Sequence, residues 1–159
     1  MQHPKLKLNS LDQLTKLLLK KIKSNQSNRL MVCIAGAPGS GKSYISSNLL
    51  KKINFIRQQS EIFEMDGFHY DDVILKKKKL IKRKGSQETF DVMGLKSFLQ
   101  RLKTNNEVQV TVPIFDRKLE LSRGSAKIIK NTIPLIITEG NYLLLKHKPW
   151  NELQSYFDL

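Results

Sequence analysis

The stretch Gly36-Ala37-Pro38-Gly39-Ser40-Gly41-Lys42-Ser43 constrains this chain more than any other. It fits the pattern G-x-x-x-x-G-K-[ST], and its flanks suit that pattern. Residues 30–35 ahead of it form a short apolar run, read as a buried strand, and residues 44–50 behind it read as a helix. Strand, glycine-rich loop and helix in that order make a phosphate-binding unit. The glycines and the proline let the backbone curl so that successive N–H groups point inward as an anion nest. The helix that follows adds its positive N-terminal end. Lys42 is placed to reach the β- and γ-phosphates as a point charge, and the Ser43 hydroxyl to ligate Mg²⁺. Gly36, Ala37, Pro38, Gly39, Ser40, Gly41, Lys42, Ser43 and the adjoining Tyr44 are therefore the candidate nucleotide-binding residues, with ATP and Mg²⁺ as the expected cofactors.

A chain of 159 residues is long enough to build one domain around a core. Its hydrophobic content of 40% and charged content of 26% belong to a globular rather than a disordered protein. No apolar run approaches the roughly 20 residues that span a bilayer, and residues 1–7 lack the apolar centre of a signal peptide. The single cysteine, Cys33, falls inside the first strand, where packing is its expected role. A cytoplasmic location is the default expectation. The net charge of +14, from 28 Lys and Arg against 14 Asp and Glu, fits either a nucleic-acid partner or phosphorylated ligands. Lysine far outnumbers arginine, and aromatics are not interleaved with basic residues as in base-stacking surfaces. No specific nucleic-acid partner and no membrane partner is expected.

Along the chain, Ser10-Leu11-Asp12-Gln13 resembles a capping box opening a helix, with Leu11, Leu14, Leu17, Leu18 and Ile22 at helical spacing. Residues 24–28 end it, and it is expected to pack on the sheet edge. The helix behind the phosphate loop should end near Lys51 and Lys52. Residues 61–65 read as a second strand, and the lysine-rich run 76–84 as a solvated face. Asp91 is a candidate cap for a helix carrying Val92, Leu95, Phe98, Leu99 and Leu102. Residues 108–112 alternate as a strand. Residues 126–130 read as a further short strand in an edge hairpin, with Gly124 as the turn before it. Residues 133–140 form an apolar strand, and Pro149 opens a short helix with Trp150, Leu153 and Phe157 on one face.

Two acids close strands. Asp66 follows the second strand, and Glu139 ends the last apolar one. Ligands of open α/β sheets sit beyond the carboxyl ends of strands, so both acids should face the phosphate loop. Asp66 is a candidate base or metal ligand, although an Asp-Gly pair is also an ordinary turn. Glu139 suits the metal-side role of a Walker-B acid. Arg83, at the end of the basic run, is a candidate contact for an anionic substrate.

Taken in order, the loop 36–43 and the segments Met65-Asp66-Gly67-Phe68-His69, Glu88-Thr89-Phe90-Asp91, Pro113-Ile114-Phe115-Asp116-Arg117 and Thr138-Glu139-Gly140-Asn141-Tyr142 resemble the phosphoribulokinase/uridine kinase family. The branch most resembled is the bacterial nucleoside/nucleotide kinase-like proteins known as fructose transport system kinases. The resemblance runs from Arg29 to the end. It implies an α/β, three-layer P-loop NTPase fold with a mainly parallel sheet, and a kinase domain over 29–159 behind a helical extension, 1–28. It implies that Asp66 accepts the proton of a substrate hydroxyl, with Lys42 and Glu139 beside it, and that Ser43, Asp66 and Glu139 attend Mg²⁺. His69, Tyr70, Phe115, Asp116 and Arg117 would lie near the acceptor. Arg117 stands where uridine kinases carry an aromatic. Family members continue with a further strand and an arginine-bearing lid, which this sequence does not include. The sheet edge left by that strand is apolar and would favour a homodimer. Two functions follow as expectations. One is an ATP-dependent kinase acting on a hydroxyl of a sugar, nucleoside or similar metabolite, and the other an ATP-binding remnant with little catalysis.

Overall fold

The computed structural model describes residues 9–24, 29–56 and 59–159. In chain order its main elements are α1 (Leu11–Ser24), β1 (Leu30–Ala35), α2 (Lys42–Phe55), β2 (Ser60–Glu64), α3 (Asp72–Lys77), α4 (Val92–Thr104), β3 (Gln109–Asp116), β4 (Leu121–Lys130) and β5 (Leu135–Gly140). Short 3₁₀ segments lie at Met65–Phe68, Ile81–Arg83, Gln87–Thr89 and Trp150–Tyr156.

The strands β1, β5 and β2 form a parallel sheet in that order, so the last strand inserts between the first two. Alternation of side chains then sorts the two faces. Leu30, Val32, Leu135 and Ile137 pack with Leu18 of α1 and with Leu49 and Ile53 of α2. Met31, Phe63 and Ile136 point the other way, into a core with Leu95, Leu99 and Leu102 of α4 and with Trp150 and Leu153. Helices thus cover both faces, and the α/β layering is as expected.

A separate antiparallel ribbon, β3 with β4, buries Val110, Val112 and Ile129 in the α4-side core. Lys127 ties it to the sheet by pairing with Glu61 at 2.5 Å and donating to the Ile62 carbonyl at 2.7 Å. Arg29 secures the opposite end. Its buried guanidinium donates to the carbonyls of Leu102, Lys130 and Ile133, joining α4, β4 and the start of β5.

Several boundaries differ from the sequence expectation. Helix α1 buries Leu18 fully in one cluster with Leu30 and Val32 of the edge strand β1 and with Leu49 and Ile53 of α2. Of the expected box, Ser10 Oγ accepts from the Gln13 N–H, but Gln13 reaches the Asn9 N–H instead of that of Ser10. The expected end of this helix over 24–28 lies partly outside the described residues, as do residues 1–7. Helix α2 runs on to Phe55 because Ile53, beyond the two lysines, is buried. The strand read as 61–65 is Ser60–Glu64, and Met65 opens a 3₁₀ turn.

The basic run is a solvated face as expected, with Lys76, Lys77, Lys78, Lys79, Lys82 and Arg83 exposed, but it is not irregular throughout. It begins as helix α3, capped by Asp71, whose side chain accepts from the Val73 N–H at 2.8 Å. Gly124 is not a turn but lies within β4, which starts at Leu121 and pairs with β3 back to Asp116. The Pro149 segment is 3₁₀ rather than α, with Trp150 and Leu153 buried; Phe157 follows in extended conformation but packs against the same core. The free edge of β1 is partly paired: Asp158 N–H donates to Met31 O at 2.8 Å and Cys33 N–H to Leu159 O at 2.9 Å.

Candidate active site

The strand register brings the acids together. Glu139 is two residues beyond Ile137 and therefore faces α2. Its Cα neighbours are Ile34 on β1 and Glu64 on β2. The chain leaves β1 into the phosphate loop and leaves β2 into Asp66, so loop and acids surround the tip of β5.

The loop adopts the curled form its glycines permit. Gly39 and Gly41 have φ of 75° and 84°, the left-handed region that side-chain-bearing residues avoid. Ser40 N–H donates to Ala37 O at 3.2 Å, and Lys42 Nζ reaches the same carbonyl at 2.8 Å. Helix α2 starts at Lys42. Its Ser43 hydroxyl donates to Glu139 Oε1 at 2.5 Å, and the fully buried Ser46 donates to Glu139 Oε2 at 2.7 Å. Both carboxylate oxygens are thus held by hydroxyls one helical turn apart.

A cavity of about 360 Å³ lies beyond these groups. Lys42, Ser43 and Ser47 line its α2 side; Glu64, Asp66, Glu139 and Asn141 line the strand tips; Arg117 closes it from the ribbon. Arg117 Nη2 donates to Asp66 Oδ2 at 3.0 Å. Partial desolvation beside the cavity, then repulsion from Glu139 and Asp66, push the Glu64 carboxyl above its ordinary range. The glycine after each strand-tip acid is a packing requirement. A Cβ on Gly67 would stand 2.6 Å from Pro113 O, and one on Gly140 would stand 2.6 Å from Met65 Cβ. The Asp-Gly pair is therefore not a simple solvent-exposed turn.

Lys42, Ser43, Asp66 and Glu139 line one cavity, and among the six candidate acceptor residues Arg117 alone joins them there. His69 and Tyr70 border a neighbouring recess with Asp71, Asp91 and Gly124. His69 is wedged between Phe90 and Phe115, with ring centroids at 4.0 and 4.8 Å, and its Nδ1 lies 2.9 Å from Asp66 O. Burial there pulls its pKa below the usual histidine range. Phe115 has Lys84 Nζ 5.9 Å from its ring centroid. Asp116 pairs with Arg123 at 3.3 Å, and Arg83 pairs with Glu88 on the surface at 2.8 Å. Tyr44 is exposed on the first turn of α2.

Glu64 and Ser46 do not figure among the residues expected from sequence, yet each carried a signal. Ile62, Glu64 and Asp66 follow period two on one strand side, and Ser46 lies three residues after Ser43 on a helix.

Phosphate loop, catalytic-type lysine and strand-tip acids on a parallel sheet define a P-loop nucleotide-binding fold. A family model described as Schlafen group 3, DNA/RNA helicase domain, matches residues 29–137. That span includes the loop but stops before Glu139. Likenesses to kinases reach further. A Silicibacter structure, named by inference as a fructose transport system kinase, superposes with a TM-score of 0.86 at 34% identity, covering 94% of this chain and 72% of that one. A Schizosaccharomyces pombe protein, named by inference as a uridine kinase, is 30% identical over 96% of this chain and 66% of its own length. The pantothenate kinase of Enterococcus faecalis is 26% identical over 80% of this chain and 42% of its own. The chain belongs to the P-loop kinases of the phosphoribulokinase, uridine kinase and pantothenate kinase type. It shares with the helicase-family model the nucleotide-binding core. It spans about two-fifths to two-thirds of the length of these curated relatives.

The donor set suits Mg²⁺. Ser43, Glu139 and Asp66 offer hard oxygen atoms, and sites of this kind use one or two carboxylates with phosphates and water. Among the described residues no group of three or more His, Cys, Asp or Glu side chains is placed to hold a metal ion by itself. Nor is any helix among them long and apolar enough to cross a membrane.

Proposed function

We propose that this chain carries the nucleotide and catalytic floor of an ATP-dependent kinase acting on a hydroxyl of a small metabolite such as a sugar, a nucleoside or a vitamin precursor. In this reading residues 29–159 are the kinase domain and 1–28 a helical extension whose Leu18 completes the core, in a cytoplasmic protein. The supporting observation is that Lys42, Ser43, Asp66 and Glu139, drawn from three separate segments, line one cavity.

Main-chain N–H groups of 36–43 cradle the phosphates, and Lys42 leaves the Ala37 carbonyl to pair with the β- and γ-phosphate oxygens. Ser43, with Glu139 and Asp66 near it, would hold Mg²⁺, which when bound supplies charge neutralisation on those oxygens. Ser46 keeps one oxygen of Glu139 fixed. Asp66 takes the proton of the acceptor hydroxyl. The acceptor oxygen bonds to the γ-phosphorus as the bond from that phosphorus to the β–γ bridging oxygen breaks, and ADP leaves with that oxygen.

Two measurements test this. Mg·ATP should raise the melting temperature of the wild type and not that of Lys42→Ala. ADP release should depend on an added acceptor from a panel of sugars, nucleosides and pantothenate. Equal stabilisation of both proteins by ATP, or no acceptor-dependent ADP across the panel, contradicts the proposal.

A further inference from the structure

The acceptor side of the cavity carries a charge pattern that narrows the substrate class. Glu64, Asp66 and Glu139 make its strand-tip wall acidic. Among the described residues lining it, the cations are Lys42 and Arg117. Lys42 belongs to the phosphate loop. Arg117 comes from the opposite side, at the end of β3.

Other cations near the ribbon are engaged with partners away from the reacting position. Lys84 donates to Asp72 and to Glu120 O, Arg123 pairs with Asp116, and Arg83 pairs with Glu88. The partner of Arg117 is Asp66, the acid proposed to take the acceptor's proton. The contact uses Nη2 alone. A guanidinium has five N–H donors in a fixed fork, so most remain to meet a second anion. The Arg117 side chain is 74% exposed against 25% for Asp66. A salt bridge with so exposed a cation holds weakly against solvent and can give way to a second anion. The ribbon that carries Arg117 is anchored, by the pair of Lys127 on β4 with Glu61 on β2 and by Gly67 close against Pro113.

We infer that the phosphoryl acceptor is itself an anion, a hydroxyl compound bearing a carboxylate or phosphate group that Arg117 binds in exchange for Asp66. The exchange does two things at once. It gives the acceptor's charge a fork-shaped partner inside an acidic cavity. It also releases Asp66 Oδ2 to accept the hydroxyl proton. A neutral polyol does neither and leaves Arg117 on the base. This inference rests on the kinase reading and names the acceptor class for the same site.

The test is equilibrium binding by calorimetry, in the presence of a non-hydrolysable ATP analogue and Mg²⁺, of matched probes: D-glycerate against glycerol, pantothenate against pantothenol, D-fructose 6-phosphate against D-fructose. In at least one pair the anionic member should bind about tenfold or more tightly, the ratio expected of a charge-assisted hydrogen bond. Arg117→Gln should bring that ratio close to one, and Arg117→Lys should restore part of it. Asp66→Asn, which removes the competing carboxylate, should hold or raise it. The melting-temperature shift of Arg117→Gln with Mg·ATP confirms that the variant is folded. No anionic preference in any pair, or a preference that survives Arg117→Gln, overturns the inference. A carboxylate pair and a phosphate pair that respond differently identify which anion is used. If the Arg117-dependent preference is present but no probe releases ADP, the inference stands and the kinase reading fails. If ADP is released equally from neutral and anionic probes, the kinase reading stands and the inference fails.

Discussion

The two walls of the cavity are built by different means. On the loop wall, main-chain geometry and buried packing fix the groups: Gly39 and Gly41 set the curl, α2 rests on Leu49 and Ile53, and two serines grip Glu139. On the acceptor wall, a two-stranded ribbon is carried to the sheet by a few side-chain contacts, chiefly Lys127 with Glu61 and Gly67 under Pro113. Arg117 then reaches over from an exposed position. On the kinase reading proposed above, a wall made of backbone would suit a ligand that does not change, the triphosphate. A wall made of exchangeable side chains would suit an acceptor that differs between relatives.

The sharpest way to separate the walls is Asp66→Asn. It should lower acceptor-dependent turnover by about 10²–10⁴-fold, the range for loss of a positioned general base, while the Mg·ATP melting shift largely persists. Lys42→Ala should remove both. Should Asp66→Asn abolish the ATP shift as well, the acid belongs to the nucleotide wall and the division fails. Next in size is Gly67→Ala. Its Cβ would meet the Pro113 carbonyl, which is backbone and cannot swing aside. Overpacking of this kind costs about 1–3 kcal/mol. Chemical denaturation should show that loss, and the surviving enzyme should have a raised KM for acceptor with its KM for ATP little changed.

This asymmetry also decided what the sequence revealed. The loop motif is local: eight consecutive residues specify their own geometry, and both flanking elements declare themselves by apolar pattern. Asp66 and Glu139 were legible because one follows a strand and the other lies near the end of an apolar one. The order β1-β5-β2 was not, since nothing in the chain says that the fifth strand enters between the first and the second. Without that order, the pairing of Glu64 with Glu139 cannot be seen. The candidate acceptor residues do not share one cavity. His69, Phe115 and Asp116 were expected near the acceptor from a linear segment, but their destinations depend on how the ribbon folds over the Met65–Phe68 turn. His69 went between aromatic rings and Asp116 to Arg123, and Arg117 alone reached the cavity. Gly124 was misread because an exposed strand tolerates a glycine that elsewhere marks a turn.

A smaller effect probes the loop wall. Ser46→Ala removes one of two hydroxyls on Glu139 without touching the loop. Losing a hydrogen bond to a charged group costs about 1.5–3 kcal/mol, less where solvent takes its place. The variant should need several-fold more Mg²⁺ to reach half its ATP-induced melting shift. The pantothenate-type and fructose-type probes should keep their ratio of affinities. A changed acceptor ratio with normal Mg²⁺ dependence would mean that Glu139 serves the acceptor wall.

The smallest effect concerns the place where the walls meet. Glu64 stands beside Glu139 in register and shares the cavity with Asp66. Partial desolvation and these neighbours raise its folded-state pKa above the ordinary glutamate range. An acid with a raised folded pKa supports folding fully below its unfolded pKa, and that support is lost as pH rises through the folded value. At neutral pH the ionised Glu64 is therefore a mild liability to the nucleotide-free protein, while at pH 4 it is not. Glu64→Gln cannot ionise. It should melt together with wild type near pH 4 and slightly above it at pH 7.5. The gain should shrink in Glu139→Gln, which removes one repelling neighbour, and grow in Arg117→Gln, which removes an attracting one. A gain of equal size at both pH values would mean that Glu64 acts through packing. In that case the meeting point of the walls is steric, and the acidic character of the strand-tip wall does not reach it.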